Sequence, residues 1–337
     1  MREKESMSDL SYTVYLKWLR FLNFRDKLKV NIYTKETDRM ITASTASIGF
    51  IGLGVMGKSM VKNLMDAGYK LHIHTRTKSK AEELLELGAE WHDDSSSLAK
   101  ASDVIITMVG YPADVQKVYF GEQGILNHAK TGAYVIDMTT SKPSLAIEIY
   151  EEAKKNGLIA LDAPVSGGDV GAKNGTLAIM AGGDKEAYHE IAPIFRVLGE
   201  RITLLGPAGA GQHTKMANQI AIATNMIGVC ESILYARKAG LDAEEVLATI
   251  STGAAASFSL SNLGKRMIEK DYEPGFYVKH FIKDMEIALE SAHNMGLPAP
   301  GLELALKLYK DLADMGEADS GTQALIKLLA HEAEMTL

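Results

Sequence analysis

The chain has a single cysteine, Cys230, among 337 residues. It cannot close an internal disulfide, and that usage suits a reducing cytosol, so a cytoplasmic location is expected. Cys230 sits in an apolar helical run and reads as a buried spectator. No apolar run reaches the ~18 residues of a membrane span, and no membrane partner is expected. Basic residues are not in excess: 36 Lys and Arg face 43 Asp and Glu, a net charge of −7, which argues against a nucleic-acid binder. No Cys/His cluster has zinc spacing, so no structural metal is expected. Internal repeats and low-complexity tracts are also lacking. What remains is 46% hydrophobic and 23% charged, the balance of a soluble globular protein with length for about two domains.

Residues 1–46 stand apart, with nine Lys/Arg against six Asp/Glu. They read as a poorly ordered extension, with Met40 the natural start. Tyr12 to Phe24 has the pattern of an amphipathic helix, interrupted by Lys17 and Arg20, which excludes a secretory core. A partner-binding or membrane-surface helix is the other reading of this stretch.

What the chain does have is a glycine pattern. Residues 48–57 read Ile-Gly-Phe-Ile-Gly-Leu-Gly-Val-Met-Gly. An apolar strand precedes Gly52, Leu53, Gly54, Val55, Met56 and Gly57, and a helical pattern from Lys58 to Ala67 follows. In that context Gly52 permits the turn, Gly54 lets a pyrophosphate approach the backbone, and Gly57 lets helix and strand pack closely. The free N–H groups and positive end of the helix dipole then face phosphate. A dinucleotide site is expected; a glycine-rich turn without ligand is the bland alternative.

Strand and helix signals alternate from residue 47 to about 207. Strands are predicted at Leu71 to His74, Val104 to Val109, Ala133 to Asp137, Leu158 to Ala163 and Leu177 to Ala181, with a helix at Lys78 to Leu87. Continuous apolar strands between helices imply a mainly parallel sheet covered on both faces. After Gly206 the strands stop. Helices fit His213 to Ala239, Ala243 to Thr249, Ser259 to Lys270, Val278 to Asn294, Leu302 to Met315 and Ala324 to Leu337. The expected fold is a Rossmann-type doubly wound α/β domain over 47–208, followed by an all-α substrate and dimerisation domain over 209–337.

The second strand ends His74-Thr75-Arg76-Thr77. An acidic residue there would read a ribose 2′-OH and favour NAD. Instead Arg76, with Thr77 and Lys80 in support, suits a 2′-phosphate, so NADP(H) is preferred and NAD(H) possible. Arg76 stacked on adenine, with both cofactors bound, is the alternative. Met108 and Val109, at the end of the third strand, are expected to line the cofactor cleft.

Four further stretches carry a resemblance. They are Asp-Met-Thr-Thr-Ser-Lys-Pro at 137–143, Asp-Ala-Pro-Val-Ser-Gly-Gly at 162–168, Gly-Ala-Gly-Gln-His-Thr-Lys-Met-Ala-Asn at 209–218, and Phe-Tyr-Val-Lys-His-Phe-Ile-Lys-Asp at 276–284. Together they resemble the β-hydroxyacid dehydrogenase family, which includes 3-hydroxyisobutyrate dehydrogenase, tartronate semialdehyde reductase and glyoxylate/succinic semialdehyde reductases. The resemblance covers about residues 47–330. It implies reversible NAD(P)-dependent reduction of a small semialdehyde or ketoacid to a hydroxyacid. Lys215 then matches the catalytic general acid/base: hydride addition leaves an alkoxide, and an ammonium both protonates and stabilises it. Ser166, Gly167 and Gly168 match the substrate-carboxylate loop, and Asn218 shares the helical face of Lys215. Thr140 matches a position that meets cofactor and substrate, with a helix cap at Thr140 or Ser141 as its alternative. Lys283 matches a cofactor contact, Asp284 a substrate-side carboxylate, and Phe276 a pocket wall; an ion pair and a core aromatic are the plainer readings. His213 lies on another helix face from Lys215 and is left out.

The sequence departs from the family at Thr75, where Asn is common, and at Val109-Gly110-Tyr111-Pro112, where Leu-Pro is common. An imine reductase shares the layout but usually lacks the lysine, so Lys215 argues against it. A non-catalytic NADP sensor or scaffold is opposed by the joint presence of Ser166, Lys215, Asn218 and Asp284. The long helix from Lys215 exposes more apolar surface than one domain covers, so a homodimer or higher homo-oligomer is expected.

Overall fold

The computed structural model describes residues 40–336. The predicted helix at Tyr12 to Phe24 and most of the extension lie outside these residues. Residues 40–46 pack on the folded body: the Ile41 N–H donates to the Glu190 carbonyl, and Ala46 is buried.

The first part alternates as the apolar runs require. In chain order it comprises β1 (Ser47–Ile51), α1 (Val55–Asp66), β2 (Lys70–His74), a 3₁₀ turn at Lys78–Ala81 leading into α2 (Glu82–Glu86), β3 (Glu90–Trp91), α3 (Ser95–Ala101), β4 (Val104–Thr107) and α4 (Pro112–Phe120). There follow β5 (Tyr134–Asp137), α5 (Pro143–Lys155), β6 (Ile159–Asp162), β7 (Val165–Ser166), α6 (Gly168–Asn174), β8 (Leu177–Gly183), α7 (Lys185–Leu198) and β9 (Gly199–Leu204). The sheet order is β3-β2-β1-β4-β5-β6-β8-β7, with β9 on β8. Strands β1 to β6 pair in parallel and β8 joins β6 antiparallel. Chain order reverses between β1 and β4, and a crevice opens there beyond the strand ends.

Both faces are covered. On one, Ile48, Phe50, Ile73 and Ile106 pack with Met60, Leu64, Ile191 and Phe195; on the other, Ile105 and Val135 pack with Leu98, Val115 and Ile149. Helix α7 shows the cause: Ala187, Ile191, Ile194, Phe195 and Leu198 recur at helical spacing, and all are buried. Each large side chain of this kind contributes about 1.5–3 kcal/mol.

Beyond Leu204 the described residues form helices: α8 (Ala210–Lys238), α9 (Ala243–Ile250), α10 (Gly264–Ile268), α11 (Val278–Asn294), α12 (Pro300–Leu312) and α13 (Leu325–Glu332). A separate apolar core joins α8 to α13, with Cys230 fully buried beside Met267. Helix α8 is the one described helix long and apolar enough to cross a membrane by length and composition. Half of its most apolar window is buried inside the protein, and its neighbours are α11, α12 and α13. It is the axis of the helical core.

Several boundaries move. The first helix begins at Val55 rather than Lys58, because the glycine loop already has its N-cap at Gly54. The predicted Ser259–Lys270 helix is a π turn at Ser259–Leu263 followed by α10, and it stops where Lys270 adopts φ 59°. The last helix ends at Glu332 rather than Leu337. Strand β4 stops at Thr107, so Met108 and Val109 lie on the loop beyond it.

Candidate active site

The glycine loop sits at the β1/β4 crevice. Gly52 has φ +106°, and a Cβ there would fall 2.2 Å from the Met108 carbonyl oxygen; one at Gly57 would fall 1.9 Å from the Gly52 carbonyl oxygen. Both therefore serve close backbone packing. A Cβ at Gly54 would meet nothing within 4 Å. Its missing side chain leaves open space in front of the first turn of α1. That turn has no side-chain cap and no acidic residue, so its N–H groups are available to an anion. These features fit a dinucleotide pyrophosphate.

Arg76, at the end of β2, has an 83% exposed side chain and stands 3.1 Å from Asp114 Oδ1. Asp114 lies on α4, far along the chain, so an acidic partner is present in space where none is near in sequence. Thr77 and Lys80 are exposed on the following turn, and Met108 and Val109 are half-buried.

Lys215 is placed by buried polar contacts that cross between the two parts of the chain. Asp162, at the end of β6, accepts the Gly209 N–H and the Gln212 N–H, each at 2.8 Å. Those are among the orphan donors at the start of α8, so a carboxylate from the sheet caps the helix carrying Lys215. Burial raises the Asp162 pKa, and these N–H donors pull it back. The Gln212 side chain holds the loop after β5, donating to the Thr139 carbonyl at 2.7 Å and accepting the Ser141 N–H at 2.9 Å. Thr139 Oγ1 in turn accepts the Val109 N–H at 3.0 Å. Asp137 beneath it is pushed up to about 6 by burial, with hydrogen bonds from Thr139 and Thr107 opposing the rise.

One turn into α8, Lys215 is 7% exposed. Burial lowers its pKa from 10.5 to about 8; Asp284 pulls upward and Lys283 downward. Lys283 donates to the Thr140 carbonyl at 2.8 Å and lies 2.7 Å from Asp284 Oδ1. Asp284 Oδ2 accepts from Gln219 Nε2 at 2.6 Å, and Gln219 Oε1 accepts from Asn218 Nδ2 at 2.7 Å. Thr140, Asn218, Lys283 and Asp284 are thus linked through Gln219 in one half-buried to buried polar network, and the buried Lys215 lies within the electrostatic reach of Asp284 and Lys283. The capping alternative for Thr140 or Ser141 is not what forms: the N-cap of α5 is Lys142, with no side-chain cap. His213 is exposed.

Ser166, Gly167, Gly168 and Phe276 are brought together differently. Ser166 ends β7, and Gly167 (φ +132°) and Gly168 (φ +64°) turn the chain into α6. A Cβ on Gly275, next to Phe276, would lie 2.8 Å from Asp169 Oδ1, so the two loops touch. The Phe276 ring packs on Phe281 at 5.4 Å. Helix α6 docks on α1 through Asn63 Nδ2, which donates to the Ala172 carbonyl at 2.8 Å.

Sequence reading missed Asp162, Gln212, Gln219 and Asp114. Gln212 and Gln219 flank Lys215 at −3 and +4, a helical spacing that places them on its face and is a signal a reader could use.

Residues 47–206 match the family described as the NAD binding domain of 6-phosphogluconate dehydrogenase. Residues 209–329 match the one described as NAD-binding of NADP-dependent 3-hydroxyisobutyrate dehydrogenase. The uncharacterized oxidoreductase YkwC of Bacillus subtilis (strain 168) is 62% identical across 84% of this chain and 98% of its own length. A probable 3-hydroxyisobutyrate dehydrogenase-like 1, mitochondrial, of Arabidopsis thaliana is 48% identical across 86% of this chain and 87% of its own. The solved 3-hydroxyisobutyrate dehydrogenase of Mycobacterium tuberculosis, with L-serine, superposes at a TM-score of 0.78 and 29% identity, covering 84% of this chain and 99% of that one. With the capped helix, the glycine loop and these matches in place, the chain belongs to the β-hydroxyacid dehydrogenase family, NAD(P)-dependent oxidoreductases that act on hydroxyacids.

Proposed function

We propose that the protein reversibly reduces a three- or four-carbon semialdehyde or ketoacid to its hydroxyacid, with NADPH as the preferred reductant and Lys215 as general acid. The observation that carries this reading is the buried Lys215 ammonium, with a pKa lowered to about 8, at the start of a helix capped from the sheet. A proton donor of that strength delivers its proton near neutral pH better than an exposed lysine does. A nicotinamide cofactor held by the glycine loop would supply the hydride.

The residues of the chain do the rest. Lys215 donates the proton from Nζ to the substrate oxygen as charge develops there, and takes it back in the oxidative direction. Asp284, fixed by Gln219 and Lys283, stabilises the charged lysine. Asn218 orients the substrate beside it. Ser166 with the N–H groups of Gly167 and Gly168 binds the substrate carboxylate, and Phe276 closes the pocket on the apolar side. Thr140 and Lys283 hold the cofactor side of the cleft, with Met108 and Val109 lining it. Gly52 to Gly57 cradle the pyrophosphate; Arg76, with Thr77 and Lys80, reads the 2′-phosphate. The long helix and the exposed Tyr235, Leu241 and Phe258 support self-association as a homodimer or higher oligomer. Light scattering that gives a clean monomer at micromolar concentration would refute that part.

The test is loss of NADPH absorbance with glyoxylate, tartronate semialdehyde, succinic semialdehyde and methylmalonate semialdehyde, for wild type and Lys215→Ala side by side. Turnover of one acid, with most of kcat lost in the variant and NADPH binding kept, is the expected result. NADPH binding without turnover of any of them would overturn the proposal.

A further inference from the structure

At the β3 end of the sheet three side chains converge. Parallel pairing sets His72 on β2 opposite Glu90 on β3, so both point to one face. His92 follows Glu90 by two residues, and its N–H donates to the Ile73 carbonyl at 3.0 Å, continuing the ladder. Its side chain therefore returns to the face of Glu90. His72 Nδ1 lies 3.0 Å from His92 Nε2 and 3.2 Å from Glu90 Oε2. All three donor atoms fall within 4.8 Å of one another. We propose that His72, Glu90 and His92 form a binding site for one divalent transition-metal ion of the zinc type.

The distances suit such an ion. Tetrahedral zinc with ligand bonds of about 2.0–2.2 Å holds neighbouring ligand atoms roughly 3.3 Å apart, within a few tenths of an ångström of the two contacts made by His72. Hydrogen bonding alone serves this arrangement poorly. His72 Nδ1 carries at most one proton. If it donates to Glu90, it offers no lone pair to His92; if it accepts from His92, its lone pair faces the carboxylate. A cation between the three takes one lone pair from each.

The surroundings hold the ligands in place. His72 is 4% exposed. The His92 carbonyl accepts from His74 Nδ1 at 2.9 Å, which fixes the turn carrying the His92 ring. Lys70 pairs with Glu90 Oε1 at 3.0 Å, leaving Oε2 toward the histidines. The Glu90 side chain is 54% exposed, so solvent reaches the site and water completes the coordination. Imidazole and carboxylate donors are the set that zinc, cobalt and nickel take, not magnesium or calcium. The ion would clip the two-residue strand β3 to the sheet edge whose far end carries Arg76.

The test uses full-length, tag-free protein and Co²⁺ as a coloured probe, with Zn²⁺ as competitor. Wild type is expected to develop visible d–d bands that saturate at one Co²⁺ per chain and vanish on adding Zn²⁺. His92→Ala, and separately Glu90→Gln, should each weaken binding by at least about 100-fold, since loss of a ligand exceeds loss of an outer-shell partner. An exposed control, His189→Ala, should bind like wild type. Zn²⁺ should raise the melting temperature of wild type and of the control, and leave that of the ligand variants unchanged. Circular dichroism in chelator checks that both ligand variants fold. No d–d bands in wild type, or equal binding by wild type and a folded ligand variant, would overturn the site.

Discussion

Replacing Lys215 by methionine should make the cofactor-free protein more stable at neutral pH while abolishing reduction. The side chain is 7% exposed, and burial lowers its pKa from 10.5 to about 8. At about 1.36 kcal/mol per pKa unit, that difference is roughly 3 kcal/mol of folding free energy lost in keeping the ammonium inside. The attraction of Asp284 is already included, because it acts on the same pKa. At pH 7 the lysine is protonated in both the folded and unfolded chains, so the whole cost is present. Above pH 8 the folded protein sheds the proton while the unfolded chain keeps it to about 10.5, so wild-type stability rises across that window. Methionine, of similar length and without charge, carries no such cost. Urea unfolding of both proteins should therefore favour Lys215→Met by up to about 3 kcal/mol at pH 7, and the gap should narrow towards pH 10. A variant no more stable than wild type at pH 7, or a gap unchanged at pH 10, would refute the reasoning.

The same group sets the pH profile: kcat/KM for reduction should fall above about pH 8 and the oxidative direction should rise there, read from rates at saturating cofactor. Gly54→Ala should fold normally, since its Cβ enters open space, yet bind NADPH at least about 10-fold more weakly; Gly52→Ala, 2.2 Å from the Met108 carbonyl oxygen and at φ +106°, should lose several kcal/mol of stability in a melt. Arg76→Ala should raise KM for NADPH by about 10-fold, the value of one charge-assisted contact, and leave KM for NADH nearly unchanged; an equal effect on both would assign Arg76 to adenine stacking.

The parts of this molecule that were legible in the sequence are those whose cause is local. A glycine needed at positive φ, or wherever a Cβ would strike a carbonyl oxygen, declares itself in a short motif, and so the glycine loop was readable. Apolar runs fixed the strands, and the Val278–Asn294 helix was read to both ends because Pro274 and Gly296 bracket it. Strand β3 was invisible: two residues have no periodicity, and it forms only because β2 offers a ladder. Lys215 was found through its resemblance to a family motif. Asp162 lies far from Gln212 along the chain, as Gln219 does from Asp284, and neither carries a mark of its partner until the chain has folded. His72, Glu90 and His92 are of this kind too: their spacing along the chain is not that of a zinc motif, because strand pairing brings them together.

The cap that Asp162 places on α8 has a consequence for inheritance. The helix bearing Lys215 starts where a carboxylate of the other half tells it to start, and Lys283 closes the same seam on Thr140. Neither half is a portable module. A chimera joined at Gly206 from two relatives would keep the seam only with a carboxylate at 162 and long polar side chains at 212 and 283, because each of these bonds to the backbone of the other half. Within such a family the side chains at 162, 212 and 283 are expected to be kept, since each meets backbone that every relative supplies, while the outer faces of both halves drift freely.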